Sequence, residues 1–297
     1  MILGFLQGVT EFLPVSSSGH LAVYQHFFGL GGPSDTRLLF DVMVHLGTLL
    51  AVLVVFRSDL AMLAAGTWRA VTGKAGADRG SLRLLLLLVL GTIPAAVFGL
   101  GWKDELERLF SAPVYVGFAF LVTGSILWLS RFSGRPGRSG RPAKDVDGTS
   151  WIDALLIGLA QALALIPGVS RSGATISVAL LLGLDRRLAA RYSFLLAVPA
   201  ILGAVAVQIG DTGGIPTDQW TAVAAGTVMA AVSGYVALRL LLRIVVAGNL
   251  SRFSYYCWGI GLLTLGGVLS GLADLTELSV PSELSELFRL TRLSSAF

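Results

Sequence analysis

One cysteine, Cys257, is all the thiol chemistry in this chain, which excludes an internal disulfide and a cysteine-built metal site and makes the residue a small core side chain. Charge is scarce as well. Charged residues are 13% of the sequence against 54% hydrophobic, and they gather between apolar runs, so the soluble classes are excluded and the chain is placed in a bilayer. The net charge of +4 would suggest nucleic acid in a soluble protein. Here the basic residues lie mostly in loops, where they set orientation and meet anionic headgroups, and no nucleic-acid partner is implied. Residues 1–15 lack a basic n-region and carry Gln7 and Glu11, unlike a cleavable signal peptide.

Against that background a polar phrase is written twice. Gln7-Gly-Val-Thr-Glu11-Phe-Leu-Pro-Val-Ser16-Ser17-Ser18-Gly19-His20 returns as Gln161-Ala-Leu-Ala-Leu-Ile-Pro167-Gly-Val-Ser170-Arg171-Ser172-Gly173-Ala-Thr175, at a constant offset of 154 residues, Gly4 falling on Gly158. The chain is a duplicated unit. Ionisable groups in membrane-type sequence cost roughly 2.5–3.5 kcal/mol each on insertion scales, so Glu11, His20 and Arg171 read as functional.

Six segments are long enough to cross: 38–56, 83–101, 111–130, 191–210, 220–243 and 254–272. The stretches 57–82, 131–150, 184–191 and 243–252 are basic loops and should be cytoplasmic, whereas 102–110, 211–219 and the start of the tail carry the acids and should face outside. The apolar stretch 151–183 then has both ends on the cytoplasmic side, which a single crossing forbids. Broken at Pro167-Gly168, it reads as a re-entrant hairpin. The first copy, 1–29, behaves alike, because its arm 2–13 spans only about 18 Å, too short for a core of roughly 30 Å. The expected fold is therefore an all-α integral membrane protein with an inverted-topology repeat, each half one re-entrant helical hairpin plus three transmembrane helices. Repeat one covers about 1–130, a basic linker 131–150, repeat two about 151–272, and a tail 273–297 follows. In the tail Leu284, Leu287 and Phe288 suggest a short interfacial helix that Thr291 interrupts. Inverted repeats with interrupted helices place their site where the breaks meet.

The residues at those breaks suit an anion. Ser170 to Thr175 would open a helix after Pro167-Gly168, so unpaired N–H groups and a positive dipole end face the junction. Arg171 adds a fork for phosphate oxygens, Gly173 permits close backbone approach, and Ser16, Ser17, Ser18, Ser170, Ser172 and Thr175 supply hydroxyls. Glu11 and His20 bring proton transfer: a carboxylate can hold an imidazole in one tautomer, and the imidazole can activate a hydroxyl or attack phosphorus itself. Plainer readings compete. Each hydroxyl has even odds of bonding back to the preceding turn, Arg171 could pair structurally with Glu11, and Gln7 and Gln161 read better as helix–helix bonding groups. Asp41 and His45, four apart on one span, read as a local pair, with a supporting or metal-binding role at the site the minority view.

Taken together, Gln7-x-x-x-Glu11-Phe-Leu-Pro-x-Ser16-Ser17-Ser18-Gly19-His20 and Pro167-Gly-x-Ser170-Arg171-Ser172-Gly-x-Thr175 resemble the undecaprenyl-diphosphate phosphatase family, the bacitracin-resistance type of membrane enzyme, from the first residues to about 272. The resemblance implies hydrolysis of undecaprenyl diphosphate to undecaprenyl phosphate and inorganic phosphate, recycling a lipid carrier for peptidoglycan. It implies a bacterial inner-membrane location, a site opening to the periplasm, and catalytic roles for Glu11, Ser17, His20 and Arg171, with Gln7, Ser16, Ser18, Ser170, Ser172, Gly173 and Thr175 binding substrate. Glutamine at position 7, where the family takes Glu or Gln, removes a second carboxylate role. The expected mechanism has Ser17 attacking phosphorus, His20 as base and Glu11 orienting it; attack by His20 or by water is the rival. A divalent cation, Mg²⁺ or Ca²⁺, would take Glu11 as its protein ligand. Membrane lipid is the other partner, and a homodimer is expected. The competing class of function is a polyprenyl-phosphate flippase or anion transporter using the same inverted-repeat site.

Overall fold

The structure is a computed structural model that describes residues 1–27, 34–73, 79–110, 112–133, 143–209 and 220–271. Twelve α-helices follow one another among the described residues: α1 (Ile2–Phe12), α2 (Ser17–Phe27), α3 (Ser34–Val55), α4 (Arg57–Val71), α5 (Arg79–Gly101), α6 (Lys103–Phe110), α7 (Pro113–Leu129), α8 (Trp151–Leu163), α9 (Arg171–Leu181), α10 (Arg186–Ile209), α11 (Trp220–Ala247) and α12 (Phe253–Leu269). The all-helical expectation holds. The segment 211–219, the tail 273–297 and the middle of the 131–150 linker lie outside the described residues.

Among the described residues, four helices are long and apolar enough to cross a membrane: Arg79–Gly101, Pro113–Phe132, Arg186–Ala206 and Trp220–Ala247. Large apolar side chains face outward along them, Leu86, Val89, Ile93, Val97 and Leu100 on α5 and Val228, Val232, Val236 and Leu240 on α11, as lipid contact requires and water would not tolerate. The two remaining expected spans differ. The segment 38–56 joins a second helix through a 73° bend, because the charges Arg57 and Asp59 fall at the turn while alanines at 61, 64 and 65 still favour helix. Residues 57–71 are thus α4, where a loop was expected, and Arg191 pairs with Asp59 to hold it. Likewise 103–110 is helical, with Asp104 and Glu105 in the first turn and Arg108 in the last, each sign at its favoured dipole end. The final span is the 17-residue helix α12, shorter than 254–272.

Both broken stretches form pairs of short helices, α1 with α2 and α8 with α9. Ser150 and Asp153 close a reciprocal capping box on α8, and both Asp153 carboxylate oxygens take the Lys144 ammonium at 2.8 and 2.9 Å. The linker end is anchored beside α9 by a bridge in which Lys144 N donates to Gly183 O and Asp185 N to Lys144 O, each at 2.9 Å.

Packing repeats between the halves. α1 lies against α11 and α8 against α5, each crossing made where two glycines meet. A Cβ on Gly4 would strike the Gly226 carbonyl, and one on Gly158 the Gly91 carbonyl. Lipid is as apolar as leucine, so helix association there depends on such close backbone approach. Inside, Phe12, Ile157, Ile176, Tyr192, Phe194 and Leu238 join one core, and Tyr192 O–H donates to Leu87 O at 2.6 Å.

Gly226→Leu and Gly158→Leu should each lower stability by about 1–3 kcal/mol or more. Gly203→Ala, at a helical position with open space around it, should leave stability unchanged or raise it. Thermal unfolding in detergent reads both, and equal effects at all three positions would contradict the crossing geometry.

Candidate active site

The duplicated phrase builds the same local structure twice. Ser170 is the N-cap of α9, its Oγ accepting from Gly173 N at 3.1 Å, and Ser16 caps α2 likewise, accepting from Gly19 N at 3.3 Å. The Oγ atoms of Ser16 and Ser18 lie 3.3 Å apart, as do those of Ser170 and Ser172. Each break also needs a left-handed residue near the cap. The second uses Gly168 at φ 98°, packed on Val116 O and Ala119, and Thr123 Oγ1 donates to its carbonyl at 2.8 Å. The first uses Ser16 itself at φ 67°, a conformation costly for a side-chain-bearing residue and found where function over-determines the backbone.

The two breaks meet through their side chains. Ser172 Oγ donates to Phe12 O at 2.9 Å, so the start of α9 caps the end of α1 across the duplication. Beside it Arg171 Nη2 donates to Glu11 Oε1 at 2.6 Å, with Glu11 only 7% exposed. The other carboxylate oxygen, Oε2, accepts from Ser17 Oγ at 2.6 Å and from Gln7 Nε2 at 2.9 Å. One carboxylate thus receives donors from α1, α2 and α9. A buried carboxylate is tolerated only when paired and hydrogen-bonded in this way.

The expected link between Glu11 and His20 is corrected by this geometry. Glu11 contacts Ser17 directly, while His20 Nδ1 donates to Ser16 O at 2.7 Å and Nε2 accepts from Tyr256 O–H at 2.7 Å. The imidazole is also stacked on the Tyr256 ring and edge-on to Phe120. Position explains it: His20 follows the Ser17 turn by one helical turn and faces α7 and α12. Thr175 bonds back to Arg171 O and reaches Ser193 Oγ, which is the plainer reading for that hydroxyl. Gln7 bonds within its own helix instead of across to a neighbour. Its repeat partner Gln161 is buried with neither amide atom hydrogen-bonded.

His45 is the site residue that sequence reasoning underrated. Its Nδ1 lies 2.7 Å from the Asp41 main-chain oxygen, an atom that only accepts, so Nδ1 carries the proton and no side-chain pair with Asp41 is needed. Nε2 then turns toward Glu11 Oε2, 3.8 Å away, and a proton on Nε2 would make this an ion pair. Tyr256 is the second addition, and no motif in an apolar span announces it. Among the described residues no group of three or more His, Cys, Asp or Glu side chains could hold a metal, and the Glu11 oxygens are taken by a guanidinium, an amide and a hydroxyl.

The family model for the bacitracin resistance protein BacA matches residues 1–263. The chain belongs to this family. It is 46% identical over 274 residues to the undecaprenyl-diphosphatase of Desulfosudis oleivorans, covering 89% of this chain and 96% of the relative. The undecaprenyl-diphosphatase of Carboxydothermus hydrogenoformans is 42% identical over 272 residues, 89% of this chain and 95% of its own, and that of Syntrophotalea carbinolica 44% over 261 residues, 88% and 95%. Family membership and the apolar helices together make the chain a multi-pass membrane protein.

The Glu11–Arg171 pair should behave as a unit. Arg171→Met strands a buried carboxylate and is expected to cost about 3–5 kcal/mol, whereas adding Glu11→Gln to it should recover a large part of that loss. A double-mutant cycle of unfolding in detergent measures the coupling, and strict additivity would remove the pair from the structural account.

Proposed function

We propose that this chain hydrolyses undecaprenyl diphosphate to undecaprenyl phosphate and inorganic phosphate at the Glu11 junction. The observation that carries the reading is the hydroxyl–carboxylate–guanidinium array: Ser17 Oγ and Arg171 Nη2 each lie 2.6 Å from a separate oxygen of Glu11. The relatives named undecaprenyl-diphosphatase, matched over nearly their whole length, support the substrate. A transport reading has no comparable support, because moving an anion needs the arginine but not a serine seated on a carboxylate.

In the proposed mechanism Arg171 and the first-turn amides of α9 receive the terminal phosphate, placing positive charge where negative charge gathers. Glu11 takes the Ser17 proton as the Oγ–P bond forms and the bridging P–O bond breaks, its electron pair leaving with undecaprenyl phosphate. Water then displaces Ser17 from the phosphoserine, and the proton held on Glu11 returns to Oγ. The base is therefore Glu11, and His45 is a positioning residue behind it. His20, with Tyr256 on its Nε2, stands on the open side, where Tyr256 is 49% exposed. Mg²⁺ or Ca²⁺ would come on the diphosphate oxygens, with Glu11 the protein carboxylate within reach; no step is routed through it.

The proposal extends to topology. The halves are read as inverted repeats, each a hairpin plus three spans (α3, α5, α7 and α10, α11, α12), in the bacterial inner membrane with the site open to the periplasm. The duplicated caps and exchanged glycine crossings support this, and the basic ends of α4, α7, α10 and α11 support the orientation.

Phosphate release from undecaprenyl diphosphate by purified protein is the test. Glu11→Gln, Ser17→Ala and Arg171→Ala should each reduce it by about 10²-fold or more, and acid quench during turnover should leave label on Ser17. Full activity in Ser17→Ala, or label on His20, would overturn the mechanism, and a folded wild type that releases nothing would overturn the function. His45→Ala should lower kcat between about ten- and a hundredfold with KM little changed.

A further inference from the structure

At the Ala247 end of α11 lies a groove of about 990 Å³, near the upper size of ligand pockets. Val236, Leu240, Leu242 and Val246 line it, and three guanidiniums, Arg187, Arg239 and Arg243, rim it. None of these residues belongs to the Glu11 junction. The first turn of α10 and the last turn of α11 are tied there, Arg186 Nη1 donating to Val246 O at 3.2 Å.

Depth and charge say what the groove suits. The uncharged stretch 220–238 of α11 is about 28 Å long at roughly 1.5 Å per residue, close to a hydrocarbon core of about 30 Å. With Trp220 at one interface, Arg239 comes to the headgroup level of the opposite leaflet and Arg243 one turn beyond. Tyr235 sits just inside and accepts from Arg239 Nε and Nη2 at 3.3 and 3.1 Å, which turns that guanidinium along the helix. Among the described residues no ion pair occupies the three arginines. Asp185, two residues before Arg187, is engaged with the Arg187 and Leu188 main-chain N–H groups, and Asp59 with Arg191.

We propose that this groove binds one anionic glycerophospholipid, its phosphate diester held by Arg187, Arg239 and Arg243 and its upper acyl chains lying on Val236 and Leu240. Zwitterionic lipid carries the same phosphate but also a cation that the three guanidiniums repel. A bound lipid would clamp the ends of α10 and α11, and α10 carries Ser193, which hydrogen-bonds Thr175 of α9.

The test is native mass spectrometry of the detergent-purified protein offered equal phosphatidylglycerol and phosphatidylcholine. Phosphatidylglycerol should be retained preferentially, and Arg187→Gln, Arg239→Gln and Arg243→Gln should weaken retention by about fivefold each. Val246→Trp fills the groove with all charges kept and should also expel the lipid, while Arg69→Gln with Arg108→Gln should leave retention unchanged. All these positions are exposed, so unchanged elution on size exclusion is expected throughout. The proposal fails if the triple arginine variant or Val246→Trp keeps the wild-type preference. It fails equally if inorganic phosphate or undecaprenyl phosphate displaces phosphatidylglycerol at equal concentration.

Discussion

The Glu11 carboxylate, buried where two interrupted helices meet, is the constraint on which the arrangement rests. A charge in that position must be neutralised and fully hydrogen-bonded, or the chain would rearrange to expose it. The partner that neutralises it, Arg171, comes from the other half, and Ser172 ties the same two elements through Phe12 O. Breaking both helices is what makes this affordable: each break frees main-chain groups, and each serine cap satisfies some of them in place. α9 also begins at this junction, so the device that stabilises the break supports the anion site proposed there.

The glycine crossings serve that junction at a distance. Short helices such as α1 and α8 cannot hold a fixed position in lipid by hydrophobicity, since the solvent around them is as apolar as they are. Contact of Gly4 with Gly226 and of Gly158 with Gly91 presses each against a long helix of the other half, where dispersion and close backbone approach replace the missing driving force. A rigid seat follows for Gln7 and Glu11, one turn apart on α1. In the proposed mechanism such seating matters more than affinity, because the hydroxyl must sit 2.6 Å from the carboxylate before substrate arrives.

Much of this was legible in the sequence. A phrase repeated at a fixed offset predicts repeated structure, and the duplicated serine caps are that prediction in atomic form. Glu11, His20 and Arg171 stood out because ionisable groups in apolar sequence are costly, and Ser17 only through the family resemblance. Relations between such groups were less legible: both His20 and Ser17 lie within reach of Glu11 in the sequence, and only the left-handed turn at Ser16 settles which one the carboxylate meets. His45 looked like half of a local pair with Asp41 because i, i+4 spacing is compatible with one. The main-chain oxygen of Asp41 takes that role instead, which releases Nε2 toward another helix, an outcome that side-chain spacing does not encode. Tyr256 had no signal. The helix α4 was hidden by charge, since a basic stretch after a span reads as loop whether or not its alanines wind it into helix.

Duplication explains one feature that neither packing nor chemistry does. Gln7 and Gln161 occupy equivalent positions, and the Gln7 amide nitrogen is satisfied because it donates to Glu11 one turn later, while its oxygen is left without a partner. Four residues after Gln161 stands Leu165, so the second amide has lost its acceptor and lies buried without one. An orphaned buried amide costs on the order of 1–3 kcal/mol. The first half keeps a carboxylate and a hydroxyl, and the second keeps the arginine; a second acid at position 165 would compete with Glu11 for Arg171 and add a like charge to the junction. Leucine removes that competition, and the unsatisfied glutamine is what the specialisation of the two halves leaves behind.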